Sequence, residues 1–331
     1  MTAVEPMPRI GVLGTGAYVP DRIVTNTTVA AAAGVDDAWI RRKTTIRERR
    51  WADPEQATSD LAAEAGRRAL AAAGITAADL STIVVATSTP DRPQPPTAAY
   101  VQHLLGANAA AFDINAVCSG FVFASAVAHP LVRASGGYGL VIGADVYSRI
   151  LDPRDRKTVV LFGDGAGAVV LGPVSGGGIR ECRLHTFGQL SELISVPAGG
   201  SRLPSSPHTH AAGLQHFTMD GRGVREFVET TLPELVKQFL YDCNVSPHEI
   251  GHVVPHQANG VMLDDTIPEL GLHTAHVHRT VGEYGNTGAA SIPITLDRAA
   301  AGGALRTGDL ILLIGFGGGM SVGLALIEWS S

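Results

Sequence analysis

Cysteine, aromatic residues and charge are all scarce in this chain, and each scarcity excludes something. The three cysteines, Cys118, Cys182 and Cys243, are odd in number and widely spaced. They build neither a disulfide framework nor a CxxC metal pair, and a reduced, cytoplasmic setting fits them best. Aromatics make up 5% and charged residues 17% of the 331 positions, with a net charge of −6. A nucleic-acid-binding surface needs clustered positive charge, so this balance argues against one, although a local basic patch lies near residue 45. Long hydrophobic runs are missing too. The apolar run after Gly120 is interrupted by His129 and Pro130 and reads as too short to span a bilayer. Met1 to Pro8 lacks the basic-then-apolar layout of a secretory leader.

Glycine is plentiful, at 39 residues, and 45% of the chain is hydrophobic. That is enough for one large core or two fused domains of ordinary size. Short β-rich runs alternate with Ala-rich helical segments, the pattern of layered α/β proteins. Strands are expected at Arg9 to Gly14, Ile83 to Ala86, Leu140 to Ile142, Val159 to Leu161 and Val169 to Leu171. A helix is expected over Ser59 to Ala73, capped by Thr58 or Ser59 and stopped by Gly74. Val224 to Leu240 is amphipathic at helical spacing, with Pro233 expected to kink it or start its second part. The Pro/Ser/Gly/His stretch Gly199 to Gly213 reads as a surface loop.

The second half echoes the first. Ile250 to Val254 answers Thr82 to Ala86, Leu310 to Ile314 answers Leu140 to Ile142, and Val322 to Ile327 answers Ala168 to Leu171. The offsets scatter around roughly 160–170 residues, which points to two related halves packed about a pseudo-twofold axis.

Chemistry concentrates in a few loops. Cys118 ends the polar run Asp113-Ile114-Asn115-Ala116-Val117 and precedes an apolar helical stretch. A thiol at a helix N-terminus has its thiolate stabilised by backbone N–H groups and the dipole. His256 follows the apolar strand Val253-Val254-Pro255, at a sheet end where ligands of open α/β sheets bind. Asn286 sits in Gly285-Asn286-Thr287-Gly288. Taken singly, each has an ordinary structural role: buried thiol, satisfied histidine, turn asparagine. Together they suggest covalent acyl chemistry. Gly315 to Gly319 lacks a following Lys-Ser/Thr and is no phosphate-binding P-loop; its bare backbone can offer an N–H to a reacting carbonyl. The histidines at 208, 210 and 216, and at 273, 276 and 278, lack carboxylate or Cys partners at ligand spacing, so no metal is expected.

The joined motifs resemble ketosynthase III, the β-ketoacyl-acyl-carrier-protein synthase III branch of the thiolase superfamily. The resemblance runs through Asp37-Ala38-Trp39-Ile40, Ile46 to Arg49, Asp113 to Gly120, Phe162 to Ala168, Met219-Asp220-Gly221, Pro255 to Asn259, Gly285-Asn286-Thr287 and Phe316 to Gly319. It implies an α/β thiolase-like fold, two pseudo-symmetric halves in a five-layered αβαβα sandwich, with the nucleophile half over 1–173 and the His/Asn half over 174–331. It implies a homodimer. It implies Cys118, His256 and Asn286 as catalytic residues, with the N–H groups of Cys118 and Gly318 as oxyanion hole. Trp39, Lys43, Arg156, Gly221 and Asn259 would bind the coenzyme A portion, and Pro95 would stand at the acyl pocket. The expected substrates are an acyl-CoA and a malonyl thioester, with no permanently bound cofactor. An acyl carrier protein remains open as a partner.

The chain departs from the family pattern in places. Gly260-Val261-Met262 lacks the Arg that helps dock carrier protein, Lys43 replaces a common Arg, Pro95 a bulky aromatic, and Gly288 a common Ser. These departures suggest a specialised relative. Decarboxylative condensation leads. Plain acyl transfer to an alcohol, amine or carrier thiol, with His256 as base, is the alternative. Degradative thiolase chemistry is disfavoured because Phe316 and Gly317 stand where it needs a second Cys. A chalcone-synthase-like enzyme and a non-catalytic partner are disfavoured by the shorter chain and by the retained Cys118 respectively.

Overall fold

Two five-stranded sheets share one internal strand order. In this computed structural model, which describes residues 8–330, the first sheet holds β1 (Arg9–Tyr18), β2 (Leu80–Ala86), β3 (Ala110–Ile114), β4 (Tyr138–Asp145) and β5 (Gly165–Val174). The second holds β6 (Gly178–Thr186), β7 (Ile250–Pro255), β8 (His276–Val277), β9 (Leu310–Gly317) and β10 (Ser321–Glu328). Spatial order is β1-β5-β4-β2-β3 in one and β6-β10-β9-β7-β8 in the other. The three strand pairs matched by sequence offset occupy equivalent places: β7 answers β2, β9 answers β4 and β10 answers β5. Residues 1–7, which carried most of the leader reading, lie outside the described residues.

Seven helices position the site: α1 (Asp37–Thr44), α2 (Thr58–Ala73), α3 (Thr97–Leu105), α4 (Gly120–Ser135), α5 (Gly221–Asp242), α6 (Gly260–Thr266) and α7 (Ser291–Ala301). α4 and α7 touch strands of both sheets and form the middle layer. α2 and α3 cover the outer face of the first sheet, and α5 packs on β10 of the second. Five layers result, αβαβα. The middle layer buries Phe121, Val122, Ile292 and Leu296 against Val141, Val254, Ile311 and Leu313. Each such side chain contributes roughly 1.5–3 kcal/mol when removed from water. Glycine sets how closely the layers approach: a Cβ at Gly143 would lie 2.2 Å from Ala289 O, and one at Gly167 2.5 Å from Ile294 N.

Several local expectations change. α2 begins at Thr58 with Ala57 as its cap, because Asp60 Oδ2 accepts from Ala57 N; Gly74 ends the helix in the left-handed region as expected. Val159 to Leu161 is buried but is a turn rather than a strand. Its backbone groups go elsewhere: Thr158 N and Val159 N donate to Asp155 O, and Arg49 Nη2 donates to Val160 O. α5 continues through Pro233, with Asp220 capping its start. The 199–213 loop contains a short helix, Pro207–Ala211.

The run beyond Gly120 is not broken either. Val117–Ser135 is continuously helical through Pro130, 19 residues that by length and composition alone would suffice to cross a membrane. The core accounts for it: Phe121, Val122, Ala124, Ala128 and Val132 are buried between the sheets.

Candidate active site

Cys118 occupies a one-turn 3-10 helix, Val117–Ser119, that runs directly into α4. The residue before it, Val117, has φ 48°, a left-handed backbone that a β-branched side chain adopts at a cost of about 1–3 kcal/mol. Ser119 Oγ bonds Ser321 Oγ at 2.7 Å, tying the turn to β10. The glycine end of β9 closes over the nucleophile, and a Cβ at Gly317 would lie 2.7 Å from Cys118 Cβ. Cys118 is 5% exposed. The helix N-terminus is where the sequence placed it, but the expected stabilisation of the resting thiolate is outweighed. Burial pushes the thiol up, the charge of Asp145 adds to this, and a hydrogen bond with Tyr147 opposes it.

His256 follows β7 and is held by its backbone, N to Ile314 O at 2.7 Å. Its ring is buried edge-on to Phe316, and burial brings its pKa down to about 3, so the imidazole is neutral. Nδ1 lies 2.7 Å from Ser291 Oγ, the first residue of α7. That hydroxyl already accepts from Gln257 N at 3.3 Å, so its proton is free for Nδ1. With Ser291 donating to Nδ1, the imidazole proton sits on Nε2.

Asn286 is anchored between Leu161 O and Gly163 N by its backbone. Its Oδ1 accepts from Gly288 N at 2.9 Å, which leaves the Nδ2 donors for the cavity. Gly288 has φ 59°, and a Cβ there would lie 2.3 Å from Asp145 Oδ2 and 2.5 Å from Tyr147 Cε2. This gives a physical reason for glycine at this position. Asp145 is fully buried, and Ala289 N donates to its Oδ2 at 2.8 Å. Burial pushes this carboxyl up, and the hydrogen bonds it accepts pull the other way.

A cavity of about 530 Å³ brings Cys118, His256 and Asn286 together. Trp39, Lys43, Arg156, Gly221 and Asn259 line the same cavity, so each residue expected at the coenzyme A portion reaches it. Trp39 is half-buried on α1, whose cap Asp36 accepts from Trp39 N at 2.6 Å. Lys43 and Arg156 are exposed, and Lys157, Arg222 and Arg225 join them in the lining. The cavity thus runs from an exposed cationic rim to a buried neutral floor. Asn259 also serves the fold: it caps α6 and donates to Lys43 O at 3.1 Å, joining α1 to α6.

Two expected positions fall elsewhere. Gly317 lines the cavity, whereas Gly318 sits against Val117 and Ile194 in the turn behind it. Pro95 is exposed on the loop before α3 and is not part of the lining, so the acyl-pocket assignment is not met within one chain. Among the described residues no group of three or more His, Cys, Asp or Glu side chains could hold a metal ion.

Sequence reasoning missed the aromatic floor. Phe162 and Phe217 line the cavity, and Tyr147 stacks on Phe162 at 4.4 Å and meets Phe217 edge-on at 5.5 Å. The only sequence signal was the rarity of aromatics, which makes three in contact notable.

Comparison with known proteins finds relatives over nearly the whole chain. The profile described as 3-oxoacyl-[acyl-carrier-protein] synthase III matches residues 112–188, and its C-terminal counterpart matches 240–329. The acetoacetyl CoA synthase NphT7 of Streptomyces sp. (strain CL190) is 65% identical, covering 97% of this chain and 99% of that one. A beta-ketoacyl-[acyl-carrier-protein] synthase III of Caldanaerobacter subterraneus is 44% identical over 97% and 98% of the two chains. The crystal structure of 3-oxoacyl-[acyl-carrier-protein] synthase III from Aquifex aeolicus superposes with a TM-score of 0.88 at 35% identity, over 97% and 100% of the chains.

Proposed function

Since this chain belongs to the 3-oxoacyl-[acyl-carrier-protein] synthase III family, the ketosynthase III branch of the thiolase superfamily, we propose that it condenses acetyl-CoA with malonyl-CoA to give acetoacetyl-CoA. The Cys118 sulfur attacks the acetyl thioester. The sulfur–carbon bond to Cys118 forms, the bond to coenzyme A breaks, and coenzyme A leaves as the thiol carrying the proton that Cys118 gives up. Malonyl-CoA then binds with its thioester oxygen facing His256 Nε2 and Asn286 Nδ2. Its carboxylate leaves as carbon dioxide, and the electron pair passes to an enolate whose oxygen these two donors hold. Each donor contributes roughly 3 kcal/mol to such a charge. The enolate carbon attacks acetyl-Cys118, the carbon–carbon bond forms, and the freed sulfur takes a proton from solvent. The backbone N–H groups of Cys118 and the 317–318 turn are offered as the hole for the acetyl oxygen.

The observation that carries this reading is the His256–Ser291 hydrogen bond: with Ser291 donating to Nδ1, the neutral imidazole carries its proton on Nε2 and is a donor there. A base for plain acyl transfer would need a lone pair there, which disfavours the alternative. The aromatic floor of Phe162, Phe217 and Tyr147 favours a short acyl group. The absence of Arg from Gly260-Val261-Met262, where the resemblance implies a carrier-docking one, favours coenzyme A over carrier protein for the malonyl donor, as does the likeness to an acetoacetyl CoA synthase. The rim cations Lys43, Arg156 and Arg222 suit the phosphates of coenzyme A, and Trp39 its adenine. No permanently bound cofactor is needed. Comparing malonyl-CoA with malonyl-carrier protein as acceptor, at equal acetyl-Cys118, tests the choice; faster condensation with the carrier thioester would refute it.

A homodimer, working in the cytoplasm, belongs to the same proposal. β3 is an edge strand with Phe112 and Ile114 only half-buried, a surface suited to pairing with its own copy. An acyl-pocket role for Pro95 would then fall in the partner's cavity. The matched strand orders support two halves, with the boundary between Val174, the end of β5, and Gly178, the start of β6, just beyond the expected 173/174 division.

A further inference from the structure

We infer that Arg49 is a positioning residue for Asn286: its guanidinium fixes residues 160–164, the segment from which the Asn286 backbone hangs. The inference rests on Asn286 being a donor to the enolate oxygen. Asn286 binds one edge of that segment, its N donating to Leu161 O at 2.8 Å and its O accepting from Gly163 N at 3.0 Å. The opposite edge faces residues 49–52. Arg49 Nη2 donates to Val160 O at 2.7 Å, Trp51 Nε1 to Phe162 O at 3.3 Å and Ala52 N to Asp164 Oδ2 at 2.8 Å. Asp164 N donates to Arg50 O at 2.7 Å. Odd-numbered residues thus hold Asn286 while even-numbered ones are held by 49–52, so the second set of bonds sets where the first set lies.

Arg49 is the buried end of this support. It lies on the short strand Glu48–Arg50 and is fully buried. Nη1 donates to Asn26 Oδ1 at 2.8 Å and to Val24 O at 3.3 Å. Asn26 is locked in the accepting orientation because its Nδ2 donates to Asp37 Oδ1 and Ile46 O, both at 2.8 Å. The fork therefore reaches from the strand Ile23–Thr25 and the start of α1 to the cavity wall, of which Val160, Leu161 and Phe162 are part. Burial lowers the guanidinium pKa to about 10, with the charges of Asp37 and Glu48 opposing, so it stays a cation at pH 7. Its Nε is buried without a partner. A buried charge of this kind is weak support for stability compared with an apolar side chain of similar volume; what it supplies is fixed geometry. The stem closes the same spot: a Cβ at Gly163 would lie 3.0 Å, and one at Gly285 3.3 Å, from Arg49 Cβ. Cys118 is held through the Ser119–Ser321 bond and His256 through Ile314 and Ser291, so none of the Arg49 bonds reaches either.

The test compares two half-reactions in Arg49→Met, which keeps the stem and loses the donors, and in Arg49→Lys. A donor stabilises an oxyanion only at about 2.7–3.1 Å, and small misplacements of a catalytic group are expensive in rate. In Arg49→Met, kcat for decarboxylation of malonyl-CoA on acetylated enzyme should fall about ten-fold or more, with KM for malonyl-CoA changed by less than about two-fold. Acetyl loading of Cys118, read by intact mass, should change by less than about two-fold. Arg49→Lys keeps the charge but not the fork and should lose only about three-fold in decarboxylation, again with loading intact. In an Asn286→Ala background, Arg49→Met should cost less than about two-fold more, because the two residues act as a unit. Loading and decarboxylation falling together, neither falling, or full additivity with Asn286→Ala would overturn the inference. If Arg49→Met does not fold, the same comparison in Arg49→Lys decides it. Decarboxylation undiminished in Asn286→Ala alone would overturn the reading of Asn286, and this inference with it.

Discussion

Ser291 Oγ stands 2.7 Å from His256 Nδ1 and accepts from Gln257 N at 3.3 Å, so one hydroxyl at the start of α7 sets which nitrogen of the imidazole carries the proton. In Ser291→Ala that decision is lost, and part of the population presents an unprotonated Nε2. Decarboxylation of malonyl-CoA on acetylated enzyme should fall by about ten-fold or more, on the scale of losing part of one oxyanion donor. Acetyl loading of Cys118, followed by mass spectrometry, should change by less than about two-fold.

Gly288 should tolerate no side chain. Its φ of 59° and the closeness of Asp145 Oδ2 and Tyr147 Cε2 combine backbone and steric strain. Gly288→Ala should destabilise by about 2–4 kcal/mol in urea unfolding. Adding Tyr147→Leu should recover about 1 kcal/mol, because the two positions share the space. Strict additivity of the two substitutions would contradict this coupling.

Buried histidine makes stability depend on pH in a stated direction. His256 falls from 6.5 to about 3 on folding, so the unfolded chain binds the extra proton between those values. Its contribution is complete above pH 6.5 and is lost as pH falls toward 3. At about 1.4 kcal/mol per unit, the loss by pH 4 is on the order of 3 kcal/mol. Asp145, pushed up by burial, contributes the opposite slope. The difference between the parent and His256→Asn unfolding curves from pH 7 to 4 isolates the histidine. Parallel curves would argue against a neutral buried ring.

The aromatic floor should set acyl length. Phe217→Ala removes one face of the Phe162–Phe217–Tyr147 cluster. The ratio of kcat/KM for hexanoyl-CoA to that for acetyl-CoA should rise by about ten-fold or more, while stability drops by about 3 kcal/mol or somewhat more. An unchanged ratio would place the acyl group elsewhere.

Much of this arrangement was legible in the sequence because each chemical group sits where an element starts or stops. Cys118 begins a helix, His256 ends a strand, and Asn286 lies in a Gly-Asn-Thr-Gly turn, all boundaries with local signatures. The duplication was legible because three buried strands recur at similar offsets. Val159 to Leu161 was misread as a strand because apolar β-branched residues look alike whether their backbone pairs with a strand or with Arg49 and Asn286. Pro130 and Pro233 were read as breaks, yet packing on both sheets and on β10 keeps those helices continuous. Phe217 and Tyr147 carry no motif, and their role follows only from meeting Phe162. The resting charge of Cys118 was also beyond the sequence, since the dipole is visible in a helix start but burial and Asp145 are not.

Intact-mass analysis of the protein with acetyl-CoA, followed by malonyl-CoA, tests the central claim most directly. The account predicts one acetyl group on Cys118, absent in Cys118→Ala, which disappears on adding malonyl-CoA as carbon dioxide and acetoacetyl-CoA appear together. Acetyl that leaves Cys118 for another nucleophile without carbon dioxide release, or acetyl loading that survives Cys118→Ala, would contradict it.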